Sequence, residues 1–167
     1  FQKSLELIKT KALMIKINVI TNNNNWYKMI KNPVNHIARK IDKINRFDKS
    51  FKKKSIYCTL LLSGDREIKN LNKKFRKKNK STDVLSFPFQ AKKELNNLLK
   101  KEKEIYLGDI IVNLNKIKIK NLKDFNSEFN RLWIHGLVHL FGHEHKKKKD
   151  FLKMDQIEKK YLNLINA

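Results

Sequence analysis

Leu132-Trp-Ile-His-Gly-Leu-Val-His-Leu-Phe-Gly142, followed at once by His143-Glu-His145, is the stretch whose reading decides the fold. From Leu132 to Phe141 the residues are apolar almost all round, which predicts a helix buried in a core. Its only polar side chains are His135 and His139. Four residues apart, they leave one helical face a turn from each other. A buried polar group without a partner costs roughly 1–3 kcal/mol, so two imidazoles in this setting need partners. Hydrogen-bonded core histidines are one solution, and a shared metal ion is another. Gly142 is placed to end the helix. The chain can then double back and bring His145 to the same point.

Three neutral imidazoles around an ion, with a fourth position open to water, is the arrangement of a catalytic zinc site. Four of the five histidines lie between 135 and 145, which favours the metal over separate core roles. A zinc protease helix reads H-E-x-x-H, with the Glu as general base. Here Gly136 stands at that position, so peptide hydrolysis loses ground.

Working outward, three ordered motifs carry a resemblance. His135 to His145 reads H-G-L-V-H-L-F-G-H-E-H. Leu71-Asn-x-x-Phe-Arg76 is followed by Ser81-Thr-Asp-Val-Leu-Ser-Phe-Pro88, and Leu107-Gly-Asp-Ile-Ile111 lies between these and the histidines. Together they resemble the YbeY endoribonucleases, also described as 16S rRNA maturation factors, whose signature runs H-G-x-L-H-L-x-G-Y-D-H. The likeness covers about Leu60 to Glu158. It departs at His143-Glu144, where the family has Tyr-Asp, and at Val138, where it has Leu. His143 could compete for a metal; the resemblance assigns the third ligand to His145.

The resemblance implies one Zn2+ per chain on His135, His139 and His145, with catalytic roles for Arg76 and His135. It implies a mixed sheet of four strands with helices on its sides. It also implies a single-strand-specific endoribonuclease acting in 16S rRNA 3′-end maturation and ribosome quality control. The partners would be precursor RNA, the small ribosomal subunit and its proteins. In composition alone Arg76 is one of many surface cations, but its guanidinium can hold a phosphate through two parallel hydrogen bonds. Lys77, Lys78, Lys80 and the run Lys146, Lys147, Lys148 and Lys149 are candidate RNA contacts. Asp109, in an apolar strand, is expected to hydrogen-bond a histidine ligand or nearby backbone. Thr82 and Asp83 are candidates for the site wall. The general base stays open among Glu144, Asp109 and the RNA's own 2′-hydroxyl. Two other readings stand beside the nuclease: a ribosome-assembly factor with a structural zinc, and a metal hydrolase of another substrate.

Of the chain's 167 residues, 39 are Lys or Arg, and the formal net charge is +23. A polyanionic partner such as RNA fits that balance. An A+T-rich genome would impose the same lysine excess through its codons, so charge alone decides nothing. The length suits one domain. No apolar run approaches the ~20 residues of a membrane span, and the first twenty residues lack a signal-peptide pattern. The single Cys58 fits a reducing cytoplasm and a core position. A cytoplasmic monomer is the expectation.

Strands are expected near 15–20, 55–63, 82–88 and 106–112, the second of them central, in an α+β (α/β-like) domain spanning 14–167. Residues 1–13 are expected to form an extension, with Met14 a candidate initiator. A helix from Val34 to Ile44 carries His36, read as an ordinary packing residue. Asp65 is expected to cap a helix ending at Arg76, with Ile68, Leu71, Asn72 and Phe75 inside. Residues 91–104 read as a charged, solvent-facing helix or loop, and 114–121 as weakly helical. Ser127 is the expected cap of the histidine helix. A last helix from about Asp150 should pack through Phe151, Met154, Ile157, Tyr161, Leu162 and Ile165.

Overall fold

Alternating apolar runs and helical periods build a mixed four-stranded sheet with six helices. The structure, a computed structural model, describes residues 14–118 and 121–167; the expected extension 1–13 lies outside the described residues. The strands are β1 (Met14–Thr21), β2 (Ser55–Ser63), β3 (Val84–Pro88) and β4 (Glu104–Asn113). The helices are α1 (Trp26–Met29), α2 (Pro33–Phe47), α3 (Asp65–Arg76), α4 (Lys92–Lys101), α5 (Leu122–Leu140) and α6 (Lys148–Asn166). Spatial order is β1-β2-β4-β3. The first three strands in that order run parallel, and β3 returns antiparallel on β4. Each parallel pair is joined through helical connections, as parallel strands require.

The sheet has two unequal faces. Ile56, Cys58, Leu60 and Leu62 of β2 join Ile105, Leu107, Ile110 and Val112 of β4 in the main core, beneath α2, α5 and α6. Trp26, Phe125, Phe129 and Trp133 are fully buried there. Burying a large apolar side chain contributes about 1.5–3 kcal/mol, so this face dominates stability. The opposite face has a small core of Ile68, Leu85 and Ile111 beneath α3. Cys58 is buried in the main core as expected, and burial pushes its thiol up to about 12.

Local details revise several expectations. The histidine helix starts earlier than Ser127: Asn121 caps α5, its side chain accepting from the Asp124 N–H at 2.9 Å. Continued packing of Phe125 and Phe129 extends the helix past the expected start. Gly64, not Asp65, is the N-cap of α3; the Asp65 carboxylate instead accepts from Asn113 Nδ2 at 2.7 Å. Phe75 is exposed rather than inward-facing, because it lies at the helix end beyond the α3 core. Phe151 is also exposed, although Met154, Tyr161 and Ile165 are buried as expected. Residues 92–101 form α4 and anchor it through buried Leu95. A short 3-10 turn, Leu114–Lys116, follows β4. Lys77 closes α3 with φ 57°, in the left-handed region.

One contact sets the depth at which α5 lies on the sheet. A Cβ added to Gly136 would sit 2.5 Å from Ile110 Cγ2 and 3.2 Å from Ser86 Oγ. The residue after His135 therefore faces the sheet, where no general base could stand. Gly136→Ala should lower stability by about 1–3 kcal/mol through overpacking, read as a shift in the urea midpoint at unchanged slope.

A second contact ties α2 to α6. Asp48, the C-cap of α2, accepts from Ser50 Oγ at 2.5 Å and from Lys160 Nζ at 3.0 Å. Burial alone would raise this carboxyl; the Ser50 hydroxyl and N–H, with Lys160, overcome it and hold the group at about 2. Because the folded value lies below the unfolded one, the contribution is complete above about pH 5. It is lost as pH falls through the folded value. Asp48→Asn should therefore be less stable than wild type near neutrality, with the gap closing in acid, as urea unfolding across a pH series would show.

Candidate metal centre in an open cleft

The last turn of α5 and the loop beyond it bring three imidazoles together. Gly142, at φ 83°, turns the chain after α5. Its N–H donates to the His139 carbonyl at 2.9 Å, and the reversal carries His145 back over the helix. Ring centroids lie 4.6 Å apart for His135 and His139, 5.8 Å for His135 and His145, and 5.1 Å for His139 and His145. One nitrogen from each falls within 4.8 Å of the others, a group that could hold a metal ion. His143 is not in that group: its carbonyl accepts from His139 Nδ1 at 2.8 Å, so this residue orients a neighbour through its backbone.

The partners of the outer nitrogens test whether the group suits a cation. A carbonyl can only accept, so His139 Nδ1 carries its proton, and its Nε2 presents a lone pair when the ring is neutral. His135 Nδ1 meets the Glu158 carboxylate at 2.7 Å, which assigns the same tautomer there. With both rings neutral, the two Nε2 atoms face each other at 3.1 Å, lone pair to lone pair. With metal–nitrogen bonds of about 2.1 Å, tetrahedral ligands lie about 3.4 Å apart, close to the spacing observed. The donor set fits a metal. Burial, followed by the nearby His135, lowers the His139 pKa, which favours the neutral, ligating form.

Glu158 has no counterpart in the sequence reading. It lies on α6, far from the histidines in sequence. Its one available signal was a carboxylate among the polar positions of a helix that packs beside them.

Asp109 was expected to hydrogen-bond a histidine ligand or nearby backbone, and its partner is instead a tyrosine hydroxyl. Ile110 faces Gly136, so its neighbour Asp109 projects from the opposite face of the sheet. There its carboxylate accepts from the Tyr106 hydroxyl at 2.6 Å. This geometry removes Asp109 from the candidate bases.

The imidazoles open into a cleft of about 690 Å³, lined also by Arg76, Ser86, Phe89, Lys92, Glu144 and Lys146. Arg76 enters from the end of α3, across β3 from the histidines, and has no carboxylate partner among the described residues. Glu144 sits at the mouth, paired with Lys146 at 2.9 Å. Lys77, Lys78, Lys80, Lys147, Lys148 and Lys149 are exposed but do not line the cleft. Thr82 and Asp83 do not line it either; Asp83 accepts from the Val84 N–H at 2.8 Å and lies 3.8 Å from Arg131. His36 is remote, packed against Phe129 at 6.0 Å. Burial, with Lys40 and Arg39, lowers it to about 4, in keeping with a packing residue.

The class these features define is a mixed-sheet α+β domain with three imidazoles that could hold a metal ion on one rim of an open cleft and, on the other, a guanidinium without a carboxylate partner among the described residues. The family described as Endoribonuclease YbeY matches residues 18–166, and the chain belongs to that family. Endoribonuclease YbeY of Pelagibacter ubique is 43% identical over 147 residues, covering 84% of this chain and 90% of that protein. Endoribonuclease YbeY of Buchnera aphidicola subsp. Schizaphis graminum is 35% identical over 120 residues, 70% of this chain and 72% of that protein. The solution structure of a Thermotoga maritima protein shares the fold at a TM-score of 0.57 and 23% identity, covering 90% of this chain and 89% of that one. No helix among the described residues is long and apolar enough to cross a membrane.

If Glu158 orients His135, Glu158→Gln should weaken divalent-metal affinity by about 10–100-fold. Competition against a chromogenic chelator would measure it, with circular dichroism confirming that the fold is kept.

Proposed function

We propose that this chain is a metal-dependent endoribonuclease that cleaves single-stranded RNA in 16S rRNA 3′-end maturation and ribosome quality control, acting on the small ribosomal subunit. The single observation that carries the reading is the convergence of Arg76 and the three imidazoles on one cleft. The names of the relatives support the substrate class. Zn2+ is the ion we propose, one per chain, because three imidazoles suit it and leave a position open. Bound there, it would supply Lewis acidity toward a phosphate and acidify water.

The chain's own residues divide the remaining work. Glu158 and the His143 carbonyl fix the tautomers of His135 and His139, so that both present lone pairs to the ion. Arg76 holds the scissile phosphate and stabilises charge on its non-bridging oxygens as the bond breaks. Glu144, at the cleft mouth, and the RNA 2′-hydroxyl are the proton acceptors we retain. Attack by the 2′-hydroxyl leaves a cyclic phosphate; attack by water leaves a free one. Lys146 to Lys149 steer the strand. Lys148 and Lys149 stand in the first turn of α6, where the helix dipole disfavours cations, so their placement argues for a polyanion nearby.

A structural zinc in an assembly factor is the second reading. The imidazoles come from one helix and the loop that follows it, with His145 exposed, and they do not stitch the core together. That favours the open site.

The test is cleavage of a 16S rRNA 3′-end precursor fragment by wild type, Arg76→Ala and His139→Ala, with bound metal quantified. Cleavage should disappear in both variants, with metal retained only in Arg76→Ala. Chelation should abolish cleavage and leave the thermal unfolding largely intact. Bound zinc and tight RNA binding without cleavage above the variants would leave the assembly factor standing.

A further inference from the structure

Two pairs of aromatic rings stand at β3 and β4 beside the cleft. Phe75, at the end of α3, meets Phe87 of β3 edge-to-face, with centroids 5.2 Å apart. Phe89, just past β3, meets Tyr106 of β4 in the same manner at 5.7 Å. The chain bends at Phe89, and the Phe89 N–H donates to the Leu107 carbonyl at 2.8 Å, which keeps this second pair of rings beside β4. Three of these rings are open to solvent, Phe75 at 57% exposed, Phe89 at 66% and Tyr106 at 38%, and the half-buried Phe87 seats its pair on the small core. The Tyr106 hydroxyl is held between Asp109 at 2.6 Å and Thr59 at 2.8 Å, which fixes that ring's attitude.

The surroundings identify the occupant. Lys74 Nζ lies 5.1 Å from the Phe75 ring centroid, Arg76 follows directly, and Lys92 stands on the cleft wall with Phe89. An apolar peptide would suit the rings but not this cationic frame on a chain of net charge +23. Exposed rings interleaved with lysine and arginine are how proteins hold unpaired nucleobases along a phosphate backbone. Every nucleobase has a π-face, but in a duplex those faces are already stacked.

We propose that Phe75, Phe87, Phe89 and Tyr106 form a base-stacking platform that holds an unpaired segment of RNA whose adjoining phosphate lies at Arg76 and the three histidines. The proposal rests on the nuclease reading and deepens it: preference for single strands comes from the platform, while the metal centre is indifferent to pairing. The Asp109 carboxylate beside these rings is already engaged by the Tyr106 hydroxyl.

The experiment compares two ligands by fluorescence anisotropy: a short single-stranded oligoribonucleotide and an abasic ribose-phosphate strand of equal length. Every protein carries His139→Ala so that the strand stays intact. The parent should prefer the base-bearing strand by about 10-fold or more. Phe89→Leu and Phe75→Leu should each lose most of that preference while binding the abasic strand unchanged; Phe89→Trp should keep it. These exposed positions should leave the melting curve unmoved. Leu variants that keep the full preference, or lose affinity for both strands alike, overturn the platform and leave the nuclease reading intact. A parent that binds neither strand also overturns the platform, and the cleavage test of the wild-type protein decides the nuclease reading separately.

Discussion

The approach of α5 to β4 at Gly136 is the constraint on which the site depends. With a hydrogen in place of a side chain, the helix settles until its backbone meets Ile110 and Ser86. That depth puts His135 and His139 beside the outer edge of β3, within reach of the cleft rather than inside the core. The same contact explains the missing glutamate. In a protease helix the residue after the first histidine must face solvent and substrate, whereas here it faces the sheet. The fold has therefore assigned that position to packing.

The three-imidazole group also draws on an element remote in sequence. Helix α6 carries Glu158 to His135 and is itself fastened to α2 through Lys160 and Asp48. Stability of the helical layer and orientation of an imidazole are thus coupled. A change that loosens α6 reaches the ligand set without touching a ligand, which is how second-layer residues tune metal sites generally.

Much of this was legible in the sequence because the signals were local. The apolar helix, the glycine that stops it and the three histidines sit within fourteen residues, and helical periodicity alone aligns two of them. The central strand announced itself through a run of β-branched and apolar residues, and Cys58 through its place in that run. What was not legible depended on contacts between distant segments. Glu158 resembles any other helical carboxylate until α6 is packed. Asp109 reads as a ligand's partner until the strand's alternation is anchored by Ile110 against Gly136. Phe75 matches the inner period of α3, but the small core beneath that helix ends at Ile68, Leu85 and Ile111. Ser127 is as good a cap by type as Asn121; the aromatic packing of Phe125 and Phe129 decided between them.

Lys77 closes α3 in a left-handed conformation, immediately after the arginine of the cleft. For a residue with a Cβ that geometry costs about 1 kcal/mol, and glycine would adopt it freely. The chain instead keeps a long cation there. The left-handed turn swings the following backbone away from the helix axis, so that the guanidinium of Arg76 stands at a corner with no continuing turn of helix to cover it. Its accessibility is thereby written into the main chain and does not depend on which side chains surround it.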